Sequence, residues 1–311
     1  MHSFTRTALV LSFALSLPAQ AVVIATDDGS GNTTSPTDDP GFDHVAIVNG
    51  ASGIYIANQW VLTAYHVASS QPASVSFGGV SYTTEPNTWQ RLTNNGESGM
   101  SATTDIVMFR LASDLGLNDL EISSSVPGSG SDLIMAGNGR NRVADEIYWD
   151  SDWNETTSSN ATYTGFKTTS THTVRWGEND VAGTDQNVSI GYGDVKAFYT
   201  TFDKPGGYFG GGGFDDEAQA VVGDSGGAVF YKNGATWEIS GMIDAVGTFS
   251  GQPSNTAVYP NGLSKNTTYA ADLSFYRDQI VAIVAVPEPS VASLALLSTL
   301  ALLRRRRRVD A

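Results

Sequence analysis

The chain has 311 residues, with 17 Lys and Arg against 32 Asp and Glu, a formal net charge of −15 at pH 7 and no cysteine. An acidic surface of this kind disfavours nucleic acid and anionic lipid as partners. The missing thiols exclude disulfides, cysteine nucleophiles and cysteine metal sites.

Residues 1–21 read as a signal peptide, with Arg6 near the start, an apolar stretch from Ala8 to Leu17 and small residues Ala19 and Ala21 at a cleavage site. Residues 22–42 are expected to be a flexible leader, because Asp27 to Asp39 is rich in Asp, Gly, Ser, Thr and Pro. Cleavage after Ala21 would leave the apolar Val22-Val23-Ile24 as a new terminus. Short apolar runs at 45–48, 53–57, 61–64, 75–77 and 106–111, separated by Gly, Asn, Ser and Pro turns, predict a β-barrel over residues 43–118. A Gly/Ser-rich break at 127–131 follows, and runs at 133–137, 197–202, 228–231 and 237–243 predict a second barrel over 119–271. The stretches 149–164 and 205–216 are expected to be long surface loops. Asp272 suits the N-cap of a closing helix over 272–285, with Leu273, Tyr276, Ile280 and Ile283 or Val284 along one face.

Three local motifs carry chemistry. In Gly223-Asp224-Ser225-Gly226-Gly227 the glycines allow a sharp turn that presents one serine, with backbone N–H groups beside it for a developing oxyanion. A serine hydroxyl needs a base to become nucleophilic, and His66, at the end of an apolar run, is one of four histidines in the chain. Asp105 opens the run Ile106 to Leu111 and is the candidate to orient the imidazole; its blander reading is a turn residue before a strand. The chain order His66, Asp105, Ser225 is one of three orders in which such triads occur on unrelated folds. The acidic groups Asp27-Asp28, Asp38-Asp39 and Asp215-Asp216-Glu217 show no spaced calcium-loop pattern, so neither metal nor other cofactor is expected.

Leu62-Thr63-Ala64-Tyr65-His66, Asp105 to Leu111 and Gly223 to Gly227 together resemble the signatures of the trypsin/chymotrypsin family, and the resemblance spans about residues 43–284. It implies an all-β fold of two six-stranded antiparallel barrels with a C-terminal helix. It implies His66 as base and then acid, Asp105 as its orienter, Ser225 as nucleophile, and the N–H groups of Gly223 and Ser225 as oxyanion hole. Asp224 takes a structural role, pairing with an amino group released by proteolysis. Insertion of a Val22 terminus is therefore the alternative to a flexible leader. The specificity pocket maps onto Gln219, Asp244, Val246 and Thr267. Gln219 is uncharged, which disfavours Arg or Lys selectivity, and Asp244 stands where the family has a serine. The implied activity is a serine endopeptidase that forms an acyl-enzyme on protein or peptide substrates as a monomer. The alternative is a catalytically silent relative serving as a surface binding or scaffold protein.

At the other end, Pro287-Glu288-Pro289 precedes an apolar stretch over 290–303 and the run Arg304 to Arg308. This tail, 286–308, resembles the PEP-CTERM sorting signal of exported bacterial proteins. It implies a membrane sorting peptidase as partner, transient anchoring, and release or surface attachment. The apolar stretch is shorter than the roughly 20 residues of a spanning helix.

Overall fold

A computed structural model describes residues 22–206, 213–262 and 265–285; the signal peptide and the sorting tail read from the sequence lie outside these residues, as does the middle of the 205–216 loop. Two seven-stranded antiparallel sheets and one C-terminal helix, with a two-stranded and a four-stranded sheet beside them, form a chymotrypsin-like double β-barrel fold. The first sheet has seven strands in the order Val80–Thr83, Ser74–Phe77, Val45–Val48, Ala51–Ala57, Trp60–Ala64, Thr103–Arg110 and Gln90–Thr93. Its register is set by tight turns. At Asn49-Gly50 both residues have positive φ (49° and 85°), which matches the right-handed twist of the flanking strands.

The second sheet also has seven strands, in the order Arg175–Asp180, Asp132–Gly137, Ala228–Asn233, Thr236–Gly247, Thr267–Asp272, Asp194–Thr201 and Gly183–Ser189. Arg175–Asp180 and Gly183–Ser189 are too polar to be recognised as strands from composition; each lies at an edge of its sheet, where outward positions need no apolar side chain.

One core joins the two sheets. Ile54, Leu62, Ile106 and Met108 of the first pack with Ala136, Ala228, Phe230 and Met242 of the second. The helix Leu273–Val284 closes this seam, burying Leu273, Tyr276 and Ile280, and the Asp272 carboxylate caps it by accepting from the Ser274 N–H at 2.9 Å. Among the described residues no helix is long and apolar enough to cross a membrane.

Two expectations need correction. The leader is anchored where it begins: Val22, Val23 and Ile24 are buried, and Val23–Ile24 pairs antiparallel with Ala218–Gln219. Apolar side chains so close to a sheet edge gain more from burial than the polar residues after them can offset. The stretch 149–164 is not simply a surface loop. Its ends enter a ladder in which Ile147–Trp149 pairs with Tyr163–Gly165, and Trp153 stacks on Tyr163 with centroids 4.0 Å apart.

Candidate active site

Strand register brings His66 and Asp105 together. Trp60–Ala64 pairs with Thr103–Arg110 so that Ala64 faces Ile106, and Tyr65 N–H donates to the Asp105 carbonyl at 3.0 Å. His66 therefore leaves the strand beside Asp105, which is completely buried. The Asp105 carboxylate accepts twice from His66: Oδ1 from the backbone N–H at 2.9 Å and Oδ2 from Nδ1 at 2.6 Å. That arrangement places the proton on Nδ1 and leaves Nε2 as the basic nitrogen.

Ser225 comes from the other sheet, in the loop just before Ala228–Asn233. His66, Gly223 and Ser225 line one cleft of about 730 Å³. Among the described residues no hydrogen bond joins the Ser225 hydroxyl to His66; such contacts commonly tighten when substrate binds. The loop's N–H groups divide by use. Asp224 N–H donates to the Val221 carbonyl, Gly226 N–H to Ile243 and Gly227 N–H to Asp224. The N–H groups of Gly223 and Ser225 make no hydrogen bond among the described residues, so they are available to an oxyanion. Gly223 has φ 102°, and a Cβ there would lie 2.8 Å from the Asn138 carbonyl oxygen and the His172 ring. At this crowded point only glycine fits.

Residues without a sequence signature hold the loop. Ser52, from the first sheet, donates its hydroxyl to the Gly223 carbonyl at 2.8 Å and accepts from Asn138 N–H at 2.7 Å, while its own N–H donates to the Ser225 carbonyl at 3.0 Å. His172 lines the cleft and contacts the Asn138 carbonyl through Nδ1 at 3.0 Å. Tyr192 lies over His66, with ring centroids 5.6 Å apart. Ser52 lies just before the apolar run 53–57 and no local pattern marks it; His172, at the end of Tyr163–His172, and Tyr192, in the turn between Gly183–Ser189 and Asp194–Thr201, reach the site through strand pairings that no local pattern gives.

Asp224 is wholly buried. Its Oδ2 accepts from Val221 N–H at 2.8 Å, and Oδ1 completes no hydrogen bond. Burial pushes its carboxyl up to about 7, against the opposing pull of the N–H groups of Val221, Gly139 and Val22 and of the Arg175 charge. The leader therefore begins against the loop 223–227. Arg142 clamps it there, donating from Nε to the Ile24 carbonyl at 2.8 Å and from Nη2 to those of Thr26 and Asp27.

Of the four specificity positions, Asp244 and Val246 line the cleft. Gln219 and Thr267 are not among the residues that line it; Gln219 is buried, and its Nε2 donates to the Thr267 carbonyl at 3.1 Å. Three exposed apolar side chains, Ile190, Val222 and Val246, line the cleft, and a fourth, Tyr192, lies beside it against His66. Among the described residues, the group of His and carboxylate side chains close enough to hold a metal ion is His66, Asp105 and Asp244, whose ligand atoms lie within 4.8 Å of one another.

The family model described as Trypsin matches residues 30–271. Similar solved structures include a mutant of human heparin binding protein, with 14% identity over 84% of this chain and 98% of that one and a TM-score of 0.48. The active form of the Rv3671c protease from M. tuberculosis is 13% identical over 91% and 96%, with a TM-score of 0.46. Mouse neuropsin is 16% identical over 80% and 96%, with a TM-score of 0.44. No curated protein matches the sequence.

Proposed function

The chain belongs to the trypsin family of serine-type peptidases, which act on protein or peptide substrates, and from that premise we propose that it is an exported endopeptidase working through His66, Asp105 and Ser225. The observation that carries this reading is the paired contact of His66 with buried Asp105, at 2.6 and 2.9 Å, on the same cleft as Ser225. Ser225 Oγ attacks the scissile carbonyl as His66 Nε2 takes its proton. Asp105 holds the imidazolium without accepting that proton, and the N–H groups of Gly223 and Ser225 receive the oxyanion. His66 then protonates the leaving amine, and water, activated by the same base, hydrolyses the acyl-enzyme.

Several finer readings follow. The barrels are assigned to 43–118 and 119–271, the chain acts as a monomer, and the tail over 286–308 is read by a membrane sorting peptidase that anchors or releases the protein. Signal-peptide removal after Ala21 supplies the activating terminus. Its support is the burial of Val22, whose N–H helps the Asp224 carboxylate at the nucleophile loop. The apolar rim of Ile190, Tyr192, Val222 and Val246 favours substrates with apolar side chains flanking the scissile bond, since the gain per buried CH₂ is roughly 0.8 kcal/mol.

The test is covalent labelling with a fluorophosphonate probe. The wild-type protein is expected to be labelled at Ser225, whereas Ser225→Ala and heat-unfolded protein are not. A folded wild type that resists the probe would refute the peptidase reading and leave the silent binding module.

A further inference from the structure

Asp244 is a buried carboxyl group without an obvious companion. It sits where the pairing of Thr236–Gly247 with Thr267–Asp272 slips: Ile243 faces Ala270 and Ala245 faces Tyr269, leaving Asp244 as the extra residue of a bulge. Bulges re-aim side chains out of the regular ladder. Asp244 is 2% exposed, and neither carboxyl oxygen receives a hydrogen bond. A buried polar group in that condition is costly unless it is itself a donor.

The groups that face it come from three elements. Thr103–Arg110 contributes Asp105, the turn after Trp60–Ala64 contributes His66, and the helix Leu273–Val284 contributes Tyr276. The Tyr276 hydroxyl is already engaged, donating to Asn94 Oδ1 at 2.8 Å and accepting from Lys196 N–H at 2.9 Å. The Asp105 oxygens hold the two His66 donors and retain lone pairs. Two ionised carboxylates cannot share so dry a site, and the one with two N–H donors keeps the charge.

We infer that Asp244 stands as a neutral carboxylic acid whose O–H donates to the Asp105 carboxylate, making it a positioning residue that holds the group which orients His66. The inference rests on the triad reading above. Burial first, and then the charge of Asp105, push the Asp244 carboxyl well above the usual carboxylate range. The proton stays on Asp244 throughout turnover, so the residue adds a donor to the site and no charge. A metal ion is the competing use of the same three side chains. Metal–ligand bonds of about 2 Å would hold ligand atoms roughly 3 Å apart or more, and His66 Nδ1 lies 2.6 Å from Asp105 Oδ2, a hydrogen-bond distance.

The decisive experiment is carboxyl ¹³C NMR on purified protein labelled only at aspartate. One aspartic acid carbon is expected to remain at its protonated position at pH 8, where Asp224 is mostly ionised, and to be unmoved by added zinc. Its absence from Asp244→Asn assigns it. Probe labelling of Ser225 supplies the second readout. Asp244→Ala is expected to be about tenfold slower, ~1.4 kcal/mol. Asp244→Ser and Asp244→Asn, which restore an O–H or N–H donor, recover most of that loss. The acid limb of the rate–pH profile stays in place in Asp244→Asn, because no charge was removed. Every aspartate carbon titrating in the ordinary range, a zinc-dependent shift, or an acid limb displaced by a unit or more in Asp244→Asn would overturn the inference. The wild-type NMR result needs no variant to fold and no activity. Failure of the triad reading shows separately, as an unlabelled wild type.

Discussion

Blocking the amino group of Val22 should switch off the nucleophile loop. The perturbation is a chain beginning at Val22 compared with the same chain carrying one extra residue or an N-acetyl group. Without a cation at Val22, burial holds Asp224 at about 7 instead of 3.8, so keeping it ionised costs about 4 kcal/mol. After cleavage, a free ammonium at Val22 would bring a positive charge to the carboxylate that the Val22 N–H already helps, one oxygen of which, Oδ1, lacks a partner, and breaking a buried pair of this type costs about 3–5 kcal/mol. Most of the cost is then offset, and Asp224 stays ionised and bound to the loop at neutral pH. Blocked protein is expected to react with a fluorophosphonate about 10²-fold more slowly than the free form, since each 1.36 kcal/mol is tenfold. Thermal melting supplies a second signature. In the blocked form the folded pKa lies above the unfolded one, so the contribution of Asp224 is complete below about pH 4 and is lost as pH rises through about 7. The melting temperature of the blocked form should fall across that window relative to the free form. Equal labelling rates together with parallel melting curves would refute the reasoning.

Asp105→Asn keeps the shape of the site but loses the acceptor that places the proton on Nδ1 of His66, and a loss of about 10³–10⁴ in labelling rate is expected with little change in melting temperature. Ser52→Ala removes the hydroxyl that joins Gly223 to Asn138 and leaves a buried N–H unpaired, which should cost about 1–3 kcal/mol in denaturant unfolding and slow labelling as well. Tyr192→Ala and Ile190→Ser should raise KM for peptides with apolar flanking residues more than they lower kcat, measured on a peptide library; an unchanged preference would remove the rim from substrate selection.

What was legible in the sequence, and what was not, divides along a physical line. His66, Asp105 and Ser225 stand out because each needs a particular local backbone: a strand end, a strand start, and a turn that only glycine can make. The apolar alternation likewise marks the buried strands of the first sheet. Of the groups that hold the site, Val22 with Asp224 and the place of Asp244 entered only through the family resemblance and Ser52 not at all, because all of them act through contacts distant in sequence. Ser52 reaches the loop from 171 residues away, Val22 reaches Asp224 from the far end of the described chain, and Asp244 owes its direction to a bulge that only the pairing with Thr267–Asp272 creates. The leader misled for a related reason. Its composition after Asp27 is that of a flexible segment, yet three apolar residues before it are enough to anchor it once Ala218–Gln219 offers an edge. All three distant contacts converge on the two carboxyl groups that the proposed chemistry does not use directly, Asp224 and Asp244, and on the loop between the sheets. The nucleophile motif therefore encodes the shape of the turn, while the charge state around it is set by residues from the leader and the second sheet; substitutions in those segments should change reactivity without touching any residue of the motif.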